Sequence, residues 1–185
     1  EYDRPAMERF MGRFEEVTLA LFALRKPLVA AVTGAAVAGG CILALTADHR
    51  ILRQGSPIGL NEVRVGVPLP WWVISLLRAS LTPAAFTRVA LLGSNFTDGE
   101  ARETGLAHEV LPGDGLESAA LARLEELSSR DPHALGTTKA WLRHPVLTEM
   151  RKGGAERRSA FLAAWFSPGA QQKIHATVQS LTRRG

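Results

Sequence analysis

One cysteine, Cys41, stands in a chain of 185 residues. A lone thiol excludes an internal disulfide framework and points to a reducing compartment. No run of about eighteen apolar residues occurs, so no membrane-spanning helix is expected, and the opening residues do not read as a secretory leader. The five histidines (His49, His108, His133, His144 and His175) are scattered without metal-ligand spacing, so no metal is expected. There is no G-x-G-x-x-G fingerprint and no G-x-S-x-G nucleophile elbow. Zinc-finger spacing, an RNP-type aromatic pattern and basic-zipper heptads are all missing, which leaves nucleic acid as a weak partner class.

What is present is ordinary globular material: 46% hydrophobic and 22% charged residues, enough chain for one domain with a sizeable core. Net charge is +4, and arginine supplies 18 of the 22 basic side chains. That balance fits either a solvated surface or a phosphate-bearing small ligand. The arginine usage leans towards a bacterial cytoplasm rather than a mitochondrial matrix.

The spacing of Met7, Phe10, Met11, Phe14, Val17 and Leu21 predicts an amphipathic helix capped by Asp3, its stripe facing the core. "KPLVAAVTG" reads as a buried strand ending in a turn, and Gly39–Gly40 open an apolar helix behind it. "HRILR" is a short strand and "QGSP" a turn. Two helices follow, the second capped by Thr82, then a helix with a capping box of Thr97 and Glu100 that Gly105 stops. After the strand "LAHEVLP" the chain turns helical to its end. Strands and helices alternate, then helices run on, so one α/β domain with a C-terminal helical extension is expected.

Two places can carry chemistry. Gly39 and Gly40 stand where a turn feeds a helix, and backbone N–H groups there are unpaired and near a partial positive charge. Such an N–H can hold an oxygen that becomes negative; the plain alternative is glycine for tight packing. In "SPIGLNEVRVGVPLP", Glu62 is the only carboxylate in a run of apolar, glycine and proline residues. Burial disfavours its charged form and tunes it towards a base; the plain alternative is an edge glutamate facing water. Cys41 reads as a packing residue, and Trp71 and Trp72 as wall or core.

Together, "KPLVAAVTGAAVAGGCILALTADHRIL", "IGLNEVRVGVP" and "ALLGSNFTDGEARETGLAHEVLP" resemble the crotonase (enoyl-CoA hydratase/isomerase) superfamily. The resemblance covers about residues 26 to 112 and implies a ββα spiral core with a C-terminal helical extension. It implies one domain over 1–185, with 1–112 the α/β part and 113–185 the helical region, incomplete at its N-terminal end. Hydratases of that family carry a glutamate directly after the cysteine; here that position is Ile42. Glu62 matches the second family glutamate, a pattern similar to the mitochondrial-type Δ3,Δ2-enoyl-CoA isomerases. By resemblance, Glu62 is the catalytic base, the Gly39 N–H an oxyanion donor, and Asn61 a binding residue at the thioester. The implied activity shifts a 3-enoyl-CoA double bond to the 2-trans position. No separate cofactor is implied, because coenzyme A is part of the substrate. The family implies a homotrimer or hexamer, with "RKGGAERRSAFLAAWF" a basic helix face that could also reach CoA phosphates. Hydratase, hydrolase or decarboxylase chemistry stays open, as does an acyl-CoA-binding protein without catalysis.

Overall fold

Asp3 accepts a 2.7 Å hydrogen bond from the Ala6 N–H and starts α1, Arg4–Ala23, with Pro5 in the first turn where its missing N–H costs nothing. The computed structural model describes residues 3–152 and 154–182. The buried face of α1 is Met7, Met11, Thr18 and Phe22, which corrects the predicted stripe: Phe10 and Val17 are about half exposed. Thr18 can be buried because its hydroxyl donates to the Phe14 carbonyl at 2.8 Å, leaving no orphan polar atom.

Two small sheets follow. β1 (Val29–Val32), β3 (His49–Arg53) and β6 (Glu109–Leu111) form a parallel sheet in the order β1-β3-β6. The register sets Val29 against His49 and Ile51 against Glu109. β2 (Ala36–Val37), β4 (Ile58–Gly59) and β5 (Asn95–Phe96) form a second sheet in the order β2-β4-β5, parallel then antiparallel. The chain visits the first sheet, then the second, then a helix, and repeats: β1, β2, α2 (Gly39–Leu45), then β3, β4 and α3 (Trp71–Ser80). This is the ββα spiral the resemblance implied. The simple strand-helix alternation is thereby corrected, because two-residue strands carry no periodicity for a pattern to reveal. In β3 both Ile51 and Leu52 are fully buried, as a central parallel strand covered on both faces requires.

β4 runs close to the 94–95 segment. A Cβ on Gly59 would fall 2.5 Å from the Ser94 carbonyl oxygen, so only glycine fits. The helix α5 (Asp98–Thr104) is stopped by Gly105 at φ +84, as expected, but the Thr97–Glu100 capping box does not form. Glu100 instead pairs with Arg88 of α4 (Pro83–Ala90), and Asp98 accepts from the Gly55 N–H. Thr82 likewise precedes α4 without a side-chain cap bond. At the start of α5, tertiary partners take the groups that the local cap would have used.

After Leu111 come four helices: α6 (Leu116–Ser128), α7 (Pro132–Arg151), α8 (Gly154–Trp165) and α9 (Pro168–Thr182). α7 continues through Pro145 and packs on both α1 and α3. Asp48 anchors it there. One Asp48 oxygen accepts from Arg143 at 2.6 Å; the other accepts from Lys139 at 2.6 Å and the Leu28 N–H at 2.8 Å. Lys139 and Arg143 also donate to the carbonyls of Lys26 and Phe22. One carboxylate thus ties α7 to the end of α1 and the start of β1.

Candidate active site

The turn into α2 is strained on purpose. Ala38 sits at φ +53, where a residue with a Cβ is rarely found, held by its N–H donating to the Gly59 carbonyl at 2.9 Å. This directs the chain so that Gly39 begins the helix, its N–H without a partner inside that helix. A Cβ on Gly39 would meet nothing nearer than Phe14 Cζ at 3.5 Å, and one on Gly40 nothing nearer than Ala36 Cβ at 3.8 Å. Both are ordinary contacts. Tight packing is therefore not why glycine stands here, and the open side of Gly39 faces a cavity.

That cavity has a volume of about 320 Å³ and brings together three of the sequence-predicted residues, Gly39, Asn61 and Glu62. Asn61 and Glu62 enter it from a short 3₁₀ helix, Glu62–Val65, which follows β4 and closes at Gly66 with φ +82. Asn61 makes no side-chain cap bond to that helix, so its amide is free for another partner. Glu62 is the unusual member. Its Oε2 atom is buried and accepts no hydrogen bond among the described residues. Burial pushes its carboxyl above the ordinary carboxylate range. An unpartnered carboxylate oxygen in an apolar wall is costly, and folding alone does not call for it.

Apart from Thr177, the rest of the wall is apolar. Ile42, the position where the resemblance gives hydratases a glutamate, lines the cavity together with Glu62. Phe10, Met11 and Phe14 of α1, Phe161 and Trp165 of α8, and Ile174 of α9 complete it. The sequence reading placed the α1 stripe in the core, but part of it lines the site. Its spacing is that of an ordinary apolar stripe and carried no signal that part of it faces a cavity. The contributions of α8 and α9 had no local signal at all.

Cys41 is buried directly behind the wall, its thiol pushed up to about 12 by burial and then by the charge of Glu62; it is inert packing. Trp72 is core, whereas Trp71 donates to the Met150 carbonyl at 3.1 Å and lines a neighbouring cavity. Among the described residues no group of three metal-ligating side chains occurs. The fold does bring His49 and His108 together, rings stacked at 4.7 Å. His108 is pushed down to about 4 by burial and then by Arg50, whose backbone N–H donates to its Nδ1 at 3.0 Å.

A buried carboxylate with an unpartnered oxygen and a helix-start glycine thus line one largely apolar cavity. The profile of the enoyl-CoA hydratase/isomerase family matches residues 5–179. The chain belongs to this family. Its fold is the crotonase fold: a crystal structure of human mitochondrial delta3-delta2-enoyl-CoA isomerase superposes with a TM-score of 0.92 at 27% identity, over 99% of this chain and 72% of that one. Enoyl-CoA hydratase EchA3 from Mycobacterium ulcerans superposes with a TM-score of 0.81 at 26% identity, over 89% of this chain and 71% of that one. Among family members of known sequence, human mitochondrial enoyl-CoA delta isomerase 1 is 36% identical over 74% of this chain and 46% of its own length. The 2,3-dehydroadipyl-CoA hydratase of Escherichia coli is 29% identical over 88% of this chain and 64% of its own length. The chain thus spans about half to two thirds of the curated relatives it matches. Both isomerases and hydratases of this family are therefore among its relatives.

Proposed function

We propose that this family member is a Δ3,Δ2-enoyl-CoA isomerase in which Glu62 is the single base. The carrying observation is Glu62 itself: a buried carboxylate with an unpartnered oxygen in a cavity that Ile42 also lines and to which no second acid contributes among the described residues. Hydration has to activate a water and protonate a carbon, work that two carboxylates share. A double-bond shift only moves a proton from C2 to C4 of one acyl chain, which one carboxylate can do in both directions.

In this reading the thioester carbonyl oxygen of a 3-enoyl-CoA lies against the Gly39 N–H, and Asn61 contacts the thioester. Glu62 takes a C2 proton; the C2–H electrons flow through C1 and the carbonyl oxygen becomes a dienolate anion. The Gly39 N–H stabilises that oxygen, a kind of donor worth about 3–4 kcal/mol in the transition state. The new Glu62 carboxylic acid then gives its proton to C4 as the double bond settles between C2 and C3. No water enters the balance, and the apolar wall suits that. The raised carboxyl pKa makes Glu62 a stronger base than an ordinary glutamate. The reaction serves fatty-acid oxidation, with a trimeric or hexameric assembly and a bacterial cytoplasmic setting as parts of the same proposal.

The test is conversion of 3-hexenoyl-CoA to the conjugated 2-enoyl thioester by the full-length protein, with Glu62→Gln beside it. Turnover by the native protein and its loss in the variant are expected. Full activity in Glu62→Gln, or water addition to a 2-enoyl-CoA faster than isomerisation, would refute the reading.

A further inference from the structure

A second cavity, of about 460 Å³, shares two wall residues with the catalytic one, Pro70 and Phe161. Its interior is apolar near the shared wall, with Leu69, Trp71 and Ile74. Its rim is not: Arg78 of α3, Arg157 of α8 and Glu149 of α7 stand there. Glu149 is already answered by Lys152 at 2.8 Å. Among the described residues neither Arg78 nor Arg157 has a carboxylate within ion-pair distance; Arg78 lies over the Phe86 ring at 5.9 Å. Arg78 and Arg157, both exposed, line this one cavity. The rim therefore carries two unpaired cations beyond its one neutralised ion pair.

The chemistry of the first cavity gives a direction. With C1 of the acyl group at Gly39 and C2 to C4 at Glu62, the remainder of the chain continues away from Gly39. The segment it then meets runs from Glu62 through Val65 and Val67 to Pro70, the residue both cavities share. We infer that the second cavity receives the far end of the acyl chain, and that Arg78 and Arg157 select a chain ending in a carboxylate. The substrate class is thus an unsaturated dicarboxylic acid carried as its mono-CoA thioester. This deepens the isomerase reading and rests on it. Guanidinium groups match carboxylate geometry, and apolar walls followed by two cations would discriminate by both chain length and terminal charge. The phosphates of coenzyme A are the other anion this rim could meet, and the test separates the two.

The experiment has two readouts on the full-length protein. One is turnover of 3-enoyl-CoA thioesters with and without an ω-carboxylate, in a series of six to ten carbons. The other is calorimetric binding of the matching saturated thioesters and of free CoA, which needs no turnover. At one chain length the carboxylate is expected to improve kcat/KM and binding about five- to tenfold over the neutral chain. In Arg157→Gln and Arg78→Gln that ratio is expected to fall towards one, with Arg157→Lys in between. A carboxylate that weakens binding at every length, or a preference that both variants keep, would overturn the inference. If the variants weaken neutral thioesters, dicarboxylic thioesters and free CoA equally, the rim binds CoA phosphates and the inference is wrong. Turnover of neutral chains without a carboxylate preference sinks this inference alone. No turnover of any chain sinks the isomerase reading, and calorimetry still decides where the carboxylate goes.

Discussion

Asp48 and Glu62 are both carboxylates withdrawn from bulk water, and the protein treats them in opposite ways. Asp48 receives a lysine, an arginine and a backbone N–H, and both its oxygens are used. Glu62 has an oxygen that nothing reaches. The first arrangement recovers its desolvation cost through partners and holds three elements together. The second leaves that cost standing, which is a sign that something outside the folded chain is meant to use the oxygen. The comparison teaches that a satisfied buried charge belongs to architecture and an unsatisfied one to chemistry.

The sharpest way to break this contrast is to neutralise Glu62. Glu62→Gln is expected to lower kcat on 3-hexenoyl-CoA about 10³-fold, within the range of general acid–base catalysis. Its urea midpoint should be unchanged or higher, since no partner is lost. A variant that unfolds easily would show that Glu62 is structural after all. Next in size, Asp48→Ala leaves Lys139 and Arg143 half-stranded in a buried setting. It should cost about 3 kcal/mol of stability, read from the urea midpoint at constant m-value. An undisturbed midpoint would remove Asp48 from the comparison.

A smaller effect separates the two by pH. Folding raises the Glu62 pKa above 4.5, so the folded state holds that proton more tightly than the unfolded chain. Losing the proton as pH climbs through the raised value costs folding free energy, and the cost is absent below the ordinary carboxylate range. The stability advantage of Glu62→Gln over the native protein should therefore grow as pH rises. Native kcat/KM should fall on the acid side, where Glu62 is protonated. Paired thermal melts across pH and a pH–rate profile check both; a stability difference independent of pH would contradict the desolvated carboxylate. Smallest of all, Glu100→Ala removes only the exposed pair with Arg88 and should change stability by under about 0.5 kcal/mol in the same urea titration.

Much of the site was legible because its chemistry is local in sequence. The strand β3 matches "HRILR" residue for residue, and Gly39, Asn61 and Glu62 stand within two short motifs that the fold brings to one cavity. The illegible parts are long-range. Asp48 meets Lys139 and Arg143 across more than ninety positions, so no window could pair them. The Thr97 box failed because Arg88 and Gly55 offered Glu100 and Asp98 better partners from elsewhere in the fold. Phe10 and Phe14 read as core because helical spacing reports which residues share a face, not whether that face meets protein or an empty volume.

The last helix gives this a temporal side. α9 rests on the 3₁₀ helix that bears Glu62: Ala170 is the residue a Cβ on Gly66 would touch, and Ile174 closes the cavity wall. On the ribosome, Glu62 is synthesised more than a hundred residues before that cover. Until Pro168–Thr182 emerges and docks, Glu62 keeps more of its solvent and titrates more like an ordinary glutamate. Under the proposed reading, the burial that tunes Glu62 is complete only once Pro168–Thr182 has docked, so a nascent molecule would hold the carboxylate before it holds the setting proposed for its chemistry.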